Sequence, residues 1–111
     1  MKLNYREENQ VVIVEVKGKI MGGPESTALH DMLHELIDQG KQHVVVDLSQ
    51  VDWMNSTGLG LLISGLTTLR KAGGELRLAN VADKIQSLLT ITKLITVFKS
   101  YDTVEEAVRS F

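Results

Sequence analysis

A run of β-branched residues followed closely by a long helical pattern constrains the fold of this chain more than any other feature. Residues 43–48, His-Val-Val-Val-Asp-Leu, are nearly continuous in apolar character, which is typical of a parallel strand covered on both faces. From residue 57 to residue 72 the leucines and isoleucine recur at helical spacing, and Gly73 and Gly74 follow them. A buried strand beside an amphipathic helix predicts an α/β domain.

The rest of the sequence continues this alternation of strands and helices. Apolar residues around positions 3–5 and 11–16 predict two N-terminal strands joined at Asn9-Gln10, the second ending at Gly18. Further elements are expected as a helix between Pro24 and Gly40, a strand at 76–79, a helix over 81–89, a strand at 96–98 and a helix capped by Thr103. The predicted order is ββαβαβαβα, a single α/β domain over 1–111 with a mixed, mostly parallel sheet of about five strands and about four helices.

Length and charge narrow the classes of function. The 111 residues suit one domain, and 12 Lys and Arg against 14 Asp and Glu give a net charge of −2. There is thus no basic surplus for nucleic acid or an anionic membrane. The absence of Cys excludes disulfides, thiolate metal sites and cysteine nucleophiles. The N-terminus is polar and the apolar runs are short, so we expect a cytoplasmic protein without direct membrane insertion.

The most informative segment is residues 47–60, DLSQVDWMNSTGLG, in which a pair of hydroxyls lies between a strand and a helix. Ser56 or Thr57 is suited to cap that helix. Gly58 and Gly60 are less expected in its first turn, because each Gly costs about 1 kcal/mol of helix stability relative to Ala. A close partner, a bound phosphate or tight packing on the sheet each explains the glycines, and the sequence leaves the three open.

This segment also carries a family resemblance. The order VDLSxVxWMNSTGLGxL, followed by LRKAGGELRLANV, resembles the STAS domain of bacterial anti-sigma factor antagonists, and the similarity runs from residues 16–20 to 105–107. It implies that Ser56 is the phosphoacceptor for a partner that is both anti-sigma factor and serine kinase. The unphosphorylated protein would bind that partner and free sigma factor. The phosphorylated protein would release the anti-sigma factor, and a phosphatase would restore the binding form.

The resemblance also implies a partner-binding surface around Ser56. The expected contact residues are Met21, Gly22, Gly23, Met54, Asn55, Thr57, Gly58 and Leu61. For Met54 and Leu61 the sequence leaves two alternatives open, contact with a partner at the surface or burial in the core. Trp53 is expected in the core. No cofactor and no metal are expected, and ATP would belong to the kinase.

Two positions depart from the family pattern. Many members carry Asp where this chain has Asn55, and many carry Gly within the segment Thr92-Lys93-Leu94. Asn55 removes a negative charge beside the phosphoacceptor, which bears on kinase pairing or on phosphate turnover. Lys93 has no consequence that the sequence alone predicts.

Other functions find less support in the sequence. A serine hydrolase is disfavoured because Met54 stands where a nucleophile elbow has Gly and no suitable His follows. His30 and His34 have the spacing of a helical zinc site but lie at a polar margin, which favours a solvated face. The alternative that keeps the fold is a STAS subunit of a larger assembly, a lipid-transport ABC complex or a stress-signalling scaffold, in which Ser56 only caps a helix.

Overall fold

The computed structural model describes residues 2–22 and 26–111. In these ranges five strands and four helices alternate as the sequence predicts. Their bounds are β1 (Lys2–Glu8), β2 (Val11–Ile20), α1 (Ser26–Asp38), β3 (His43–Met54), α2 (Ser56–Lys71), β4 (Glu75–Ala79), α3 (Asp83–Ile91), β5 (Ser100–Tyr101) and α4 (Val104–Arg109). The ββαβαβαβα order is therefore confirmed.

The strands form one mixed sheet in the order β1-β2-β3-β4-β5. Strands β1 and β2 are antiparallel, and each of the other neighbouring pairs is parallel. Asn9 and Gln10 join β1 to β2 with φ values of 51° and 67°, the left-handed backbone of a tight hairpin turn whose twist matches its strands.

The central strands are covered on both faces, as the apolar run at 43–48 predicts. Val44, Val46 and Leu48 lie in the larger core, which also contains buried residues of α1, α2 and α3. Val45 points the other way, into a smaller core completed by residues of α4. Successive side chains of a strand alternate between the faces, so one β-branched run supplies both cores.

Strands β2 and β3 are longer than the sequence predicts. Gly18 does not end β2: it has a φ of 94° and lies where the pairing with β3 shifts register, so the strand continues to Ile20. A glycine in this conformation makes a bulge instead of a strand end. Strand β3 runs on to Met54, which pairs with Ile20. Since β4 stops opposite Asp47, the last part of β3 projects beyond it, toward the start of α2.

The last strand is not where the sequence predicts it. Residues 96–98 form turns, with Val97 N donating to Leu94 O at 3.0 Å, and β5 is the later pair Ser100–Tyr101. Phe98 is buried in the larger core from this turn, so its apolar character reflects packing without strand pairing. The predicted cap of α4 is present, since the Thr103 hydroxyl accepts from Glu106 N.

Candidate functional site

Ser56 is the first residue of α2 and its side chain is exposed. The helix is capped by Asn55, whose Oδ1 accepts from Gly58 N at 2.7 Å. The Asn55 carbonyl oxygen also accepts from Leu59 N at 2.9 Å. The alternative in which Ser56 or Thr57 caps the helix is therefore wrong, because the residue before them does so. Within the described parts of the chain the Ser56 hydroxyl has no hydrogen-bond partner.

The charge around Ser56 favours an anion. Helix α2 has 16 residues, and its first turn contains no acidic residue. The N-terminus of such a helix carries a partial positive charge and unpaired backbone N–H groups. Asn55 caps it with a neutral amide, so no carboxylate competes for this position. A negative group on the Ser56 oxygen is therefore compatible with the local electrostatics.

Gly58 is buried and fixes how closely α2 approaches β2. A Cβ at this position would overlap the Ile20 carbonyl oxygen and lie 2.6 Å from its carbon. The same carbonyl oxygen accepts from Asn55 N at 3.3 Å, so the end of β2 is joined to the cap of α2. Of the three explanations of this glycine, tight packing is correct. Gly58 is buried, and its expected contact with a partner stays a prediction.

Gly60 differs from Gly58 although it lies in the same turn. It is exposed, and a Cβ there would meet no atom within 4 Å. Packing within the described residues therefore does not explain Gly60, and the absence of a side chain leaves the surface of α2 open at this point.

The loop after β2 lies against Thr57. Gly22 has a φ of 75°, and a Cβ there would overlap the Thr57 methyl group and lie 3.2 Å from its Cβ. Met21 beside it is exposed. Gly23, expected at the same surface, lies outside the described residues. The structure thus brings Met21 and Gly22 next to the start of α2, although 33 residues separate Gly22 from Asn55 in the sequence.

Met54 and Leu61, two other predicted contact residues, differ in how deeply they are buried. Met54 is only 6% exposed and belongs to the larger core, so burial is correct of its two alternatives, and its contact with a partner stays a prediction. Its side chain packs inward because β3 continues to this residue and pairs it with buried Ile20. Leu61 is half-buried and lines a groove between α1 and α2, together with His30 and Ser64.

Trp53 is the residue that sequence reasoning placed wrongly. It was expected in the core, but its side chain is 42% exposed. Val51 and Met54 are the buried residues at this end of β3, and Asp52 and Trp53 between them are exposed. The spacing of Val51 and Met54 was a signal for this arrangement, but reading it required knowing that β3 continues past Leu48.

The histidine pair of α1 was another candidate site in the sequence. His30 and His34 are exposed on α1 with ring centroids 4.2 Å apart, as a solvated face predicts. Across the residues that the structure describes, no group of three or more His, Cys, Asp or Glu side chains is placed to hold a metal ion. None of the described helices has the length and apolar character needed to cross a membrane.

Comparison with known sequences shows which family this chain resembles. A model of the STAS domain matches residues 2–107. The anti-sigma-B factor antagonist of Staphylococcus aureus is 35% identical over 101 residues, which cover 85% of this chain and 88% of that protein. A Thermotoga maritima relative is 30% identical over 73 residues, and the match spans 65% of its length.

Solved structures share the fold. A Thermotoga maritima crystal structure superimposes with a TM-score of 0.87 at 24% identity, covering 97% of this chain and 92% of that one. The Bacillus cell fate determinant SpoIIAA in its phosphorylated form gives a TM-score of 0.74 at 17% identity, covering 98% of each chain. At these identities the likeness concerns the fold alone.

Proposed function

Because this chain belongs to the STAS domain family, we propose that it acts as an anti-sigma factor antagonist that is switched by phosphorylation of Ser56. In the unphosphorylated state it binds a cytosolic anti-sigma factor with serine kinase activity, and this binding frees the sigma factor. The kinase supplies the ATP, so the chain needs no cofactor of its own and performs no catalysis. A phosphatase returns phosphorylated protein to the binding state.

The observation that carries the proposal is the exposed Ser56 hydroxyl at the start of α2. This hydroxyl does not cap the helix, because Asn55 is the N-cap. An acceptor must reach the kinase without breaking a structural hydrogen bond. A phosphate on this oxygen adds about −1.5 to −2 charges at neutral pH and lies at the positive end of the helix dipole. Phosphorylation is therefore expected to leave the fold intact.

The effect of the phosphate then falls on binding. A partner that covers Ser56 removes water from it, and a dianion without a matching Arg loses far more hydration free energy than a neutral hydroxyl. A loss of about 2.7 kcal/mol already lowers affinity roughly a hundredfold. The switch therefore needs no change in the shape of the domain.

The surface that the partner covers consists of exposed and half-buried residues around Ser56. Met21 and Gly22 border it on the β2 side, and Asn55 and Thr57 flank the acceptor. Leu61 lies farther along α2, beyond the open surface at Gly60. Met54 and Gly58 hold this surface in place from below.

Binding of two Ser56 variants to the purified anti-sigma factor kinase of the same organism tests the proposal. Ser56→Ala should bind as tightly as the unphosphorylated protein and resist release by ATP. Ser56→Asp should bind at least tenfold more weakly. The matched control is Thr67→Asp, which places the same charge on an exposed position of α2 about 16 Å along the helix and should keep the wild-type affinity.

Equal affinity of Ser56→Ala and Ser56→Asp would exclude the switch. Copurification with a transporter ATPase in place of the kinase would instead support the larger assembly, in which Ser56 has no regulatory role.

A further inference from the structure

An exposed apolar groove lies between the end of β3 and α3. Trp53 is 42% exposed and Ile91 is 79% exposed, and both line this groove. Its other lining residues are Met54, Lys84, Ile85, Ser87 and Leu88. Two large apolar side chains thus face water in one concave site.

The packing of α3 against the core does not require an apolar residue at the exposed position 91. Ile85 and Leu89 are the buried residues of the helix and join it to the larger core. Ile91 lies at the last position of α3, where a polar residue would leave those contacts unchanged. Exposed apolar side chains that share one concave site are candidates for contact with another molecule.

The groove lies next to the proposed switch. Trp53 is three residues before Ser56, in the part of β3 that projects beyond β4 and pairs with β2. Its neighbour Met54 lines the groove and leads directly into the Asn55 cap. Three residues of chain span at most about 11 Å, so a protein that covers Ser56 is large enough to contact Trp53 as well.

The charge of the groove restricts its occupant. Lys84 is the charged residue among those that line it in the described part of the chain. Its ammonium group at the edge of an apolar site attracts a carboxylate and disfavours a second cation.

We propose that the anti-sigma factor kinase itself fills this groove, inserting an apolar side chain between Trp53 and Ile91 and placing a carboxylate against Lys84. This inference rests on the proposed function and adds a second contact region that does not carry the phosphate. Trp is among the residues that most often dominate interface energies, so Trp53 is the expected anchor.

The test measures the affinity of the purified kinase for the unphosphorylated full chain and its variants. Trp53→Ala and Ile91→Ser should each weaken binding at least tenfold while the far-ultraviolet circular dichroism and the thermal midpoint stay near those of the wild type. Lys84→Glu should weaken binding most at low ionic strength. The matched control is Tyr5→Ala, which removes a 46% exposed aromatic side chain on β1 and should change the affinity less than twofold.

A second readout uses the single tryptophan of the chain. When Trp53 is replaced by 5-fluorotryptophan, its one fluorine resonance should shift when the kinase binds. If Ser56→Asp weakens binding while Trp53→Ala and Ile91→Ser bind like the wild type and the resonance does not move, the groove proposal is overturned and the switch stands. If the wild-type chain does not bind the kinase, both proposals are overturned.

Discussion

Gly58 and Gly60 lie two residues apart on α2, yet the structure predicts opposite effects when each is replaced by Ala. At Gly60 the new methyl group meets no atom within 4 Å, so only the helix propensity changes. Ala is favoured over Gly in a helix by about 1 kcal/mol, so Gly60→Ala should stabilise the protein by up to about that amount.

At Gly58 the same substitution places a methyl group against backbone. Its Cβ would lie 2.6 Å from the Ile20 carbonyl carbon and closer still to the oxygen. Moving α2 away relieves this overlap but stretches the hydrogen bond from Asn55 N to Ile20 O, now 3.3 Å.

The opposing contributions at Gly58 give a net loss of stability. Overpacking of this kind costs about 1–3 kcal/mol, and a lost hydrogen bond costs about 1 kcal/mol more. The gain in helix propensity offsets about 1 kcal/mol. The free energy of unfolding of Gly58→Ala should therefore fall by about 1–3 kcal/mol.

Urea unfolding followed by circular dichroism at equilibrium measures both variants. The midpoint should fall for Gly58→Ala and stay equal or rise for Gly60→Ala, with the same dependence on urea concentration in each. A Gly58→Ala protein as stable as the wild type would show that α2 and β2 are not held in close contact at Gly58.

Two further predictions concern the departures from the family pattern. Lys93 follows the C-cap of α3 with a φ of 63°, a left-handed conformation that favours Gly. Lys93→Gly should therefore stabilise the protein by about 0.5–1 kcal/mol in thermal unfolding, and an equal gain from Lys93→Ala would contradict this explanation. Asn55→Ala should destabilise the protein by about 1 kcal/mol, whereas Asn55→Asp should not, because only Ala removes the capping side chain. Equal stability of the two variants in chemical unfolding would contradict the assignment of Asn55 as the cap.

The parts of the fold that depend on local pattern could be predicted from the sequence. The hairpin at Asn9-Gln10, the double-sided strand at 43–48 and the helix after Asn55 each follow from periodicity or turn chemistry within a few residues. These features require no knowledge of distant contacts. They were enough to establish the order of the elements.

The errors concern features that depend on distant parts of the chain. The extension of β3 to Met54 depends on pairing with Ile20, and without it the exposure of Trp53 could not be foreseen. Gly58 is explained by a carbonyl 38 residues earlier, and Phe98 is buried from a turn. The resemblance drew attention to Ser56, but the structure was needed to show that Asn55 performs the capping.

The proposed switch depends on Ser56 as the acceptor of a regulatory phosphate. Intact-mass spectrometry with site mapping, on protein isolated from its native cells during growth and under stress, tests it most directly. We expect a single phosphate on Ser56 whose occupancy changes between the two conditions. Protein that carries no phosphate on Ser56 under either condition would exclude Ser56 as the regulatory acceptor.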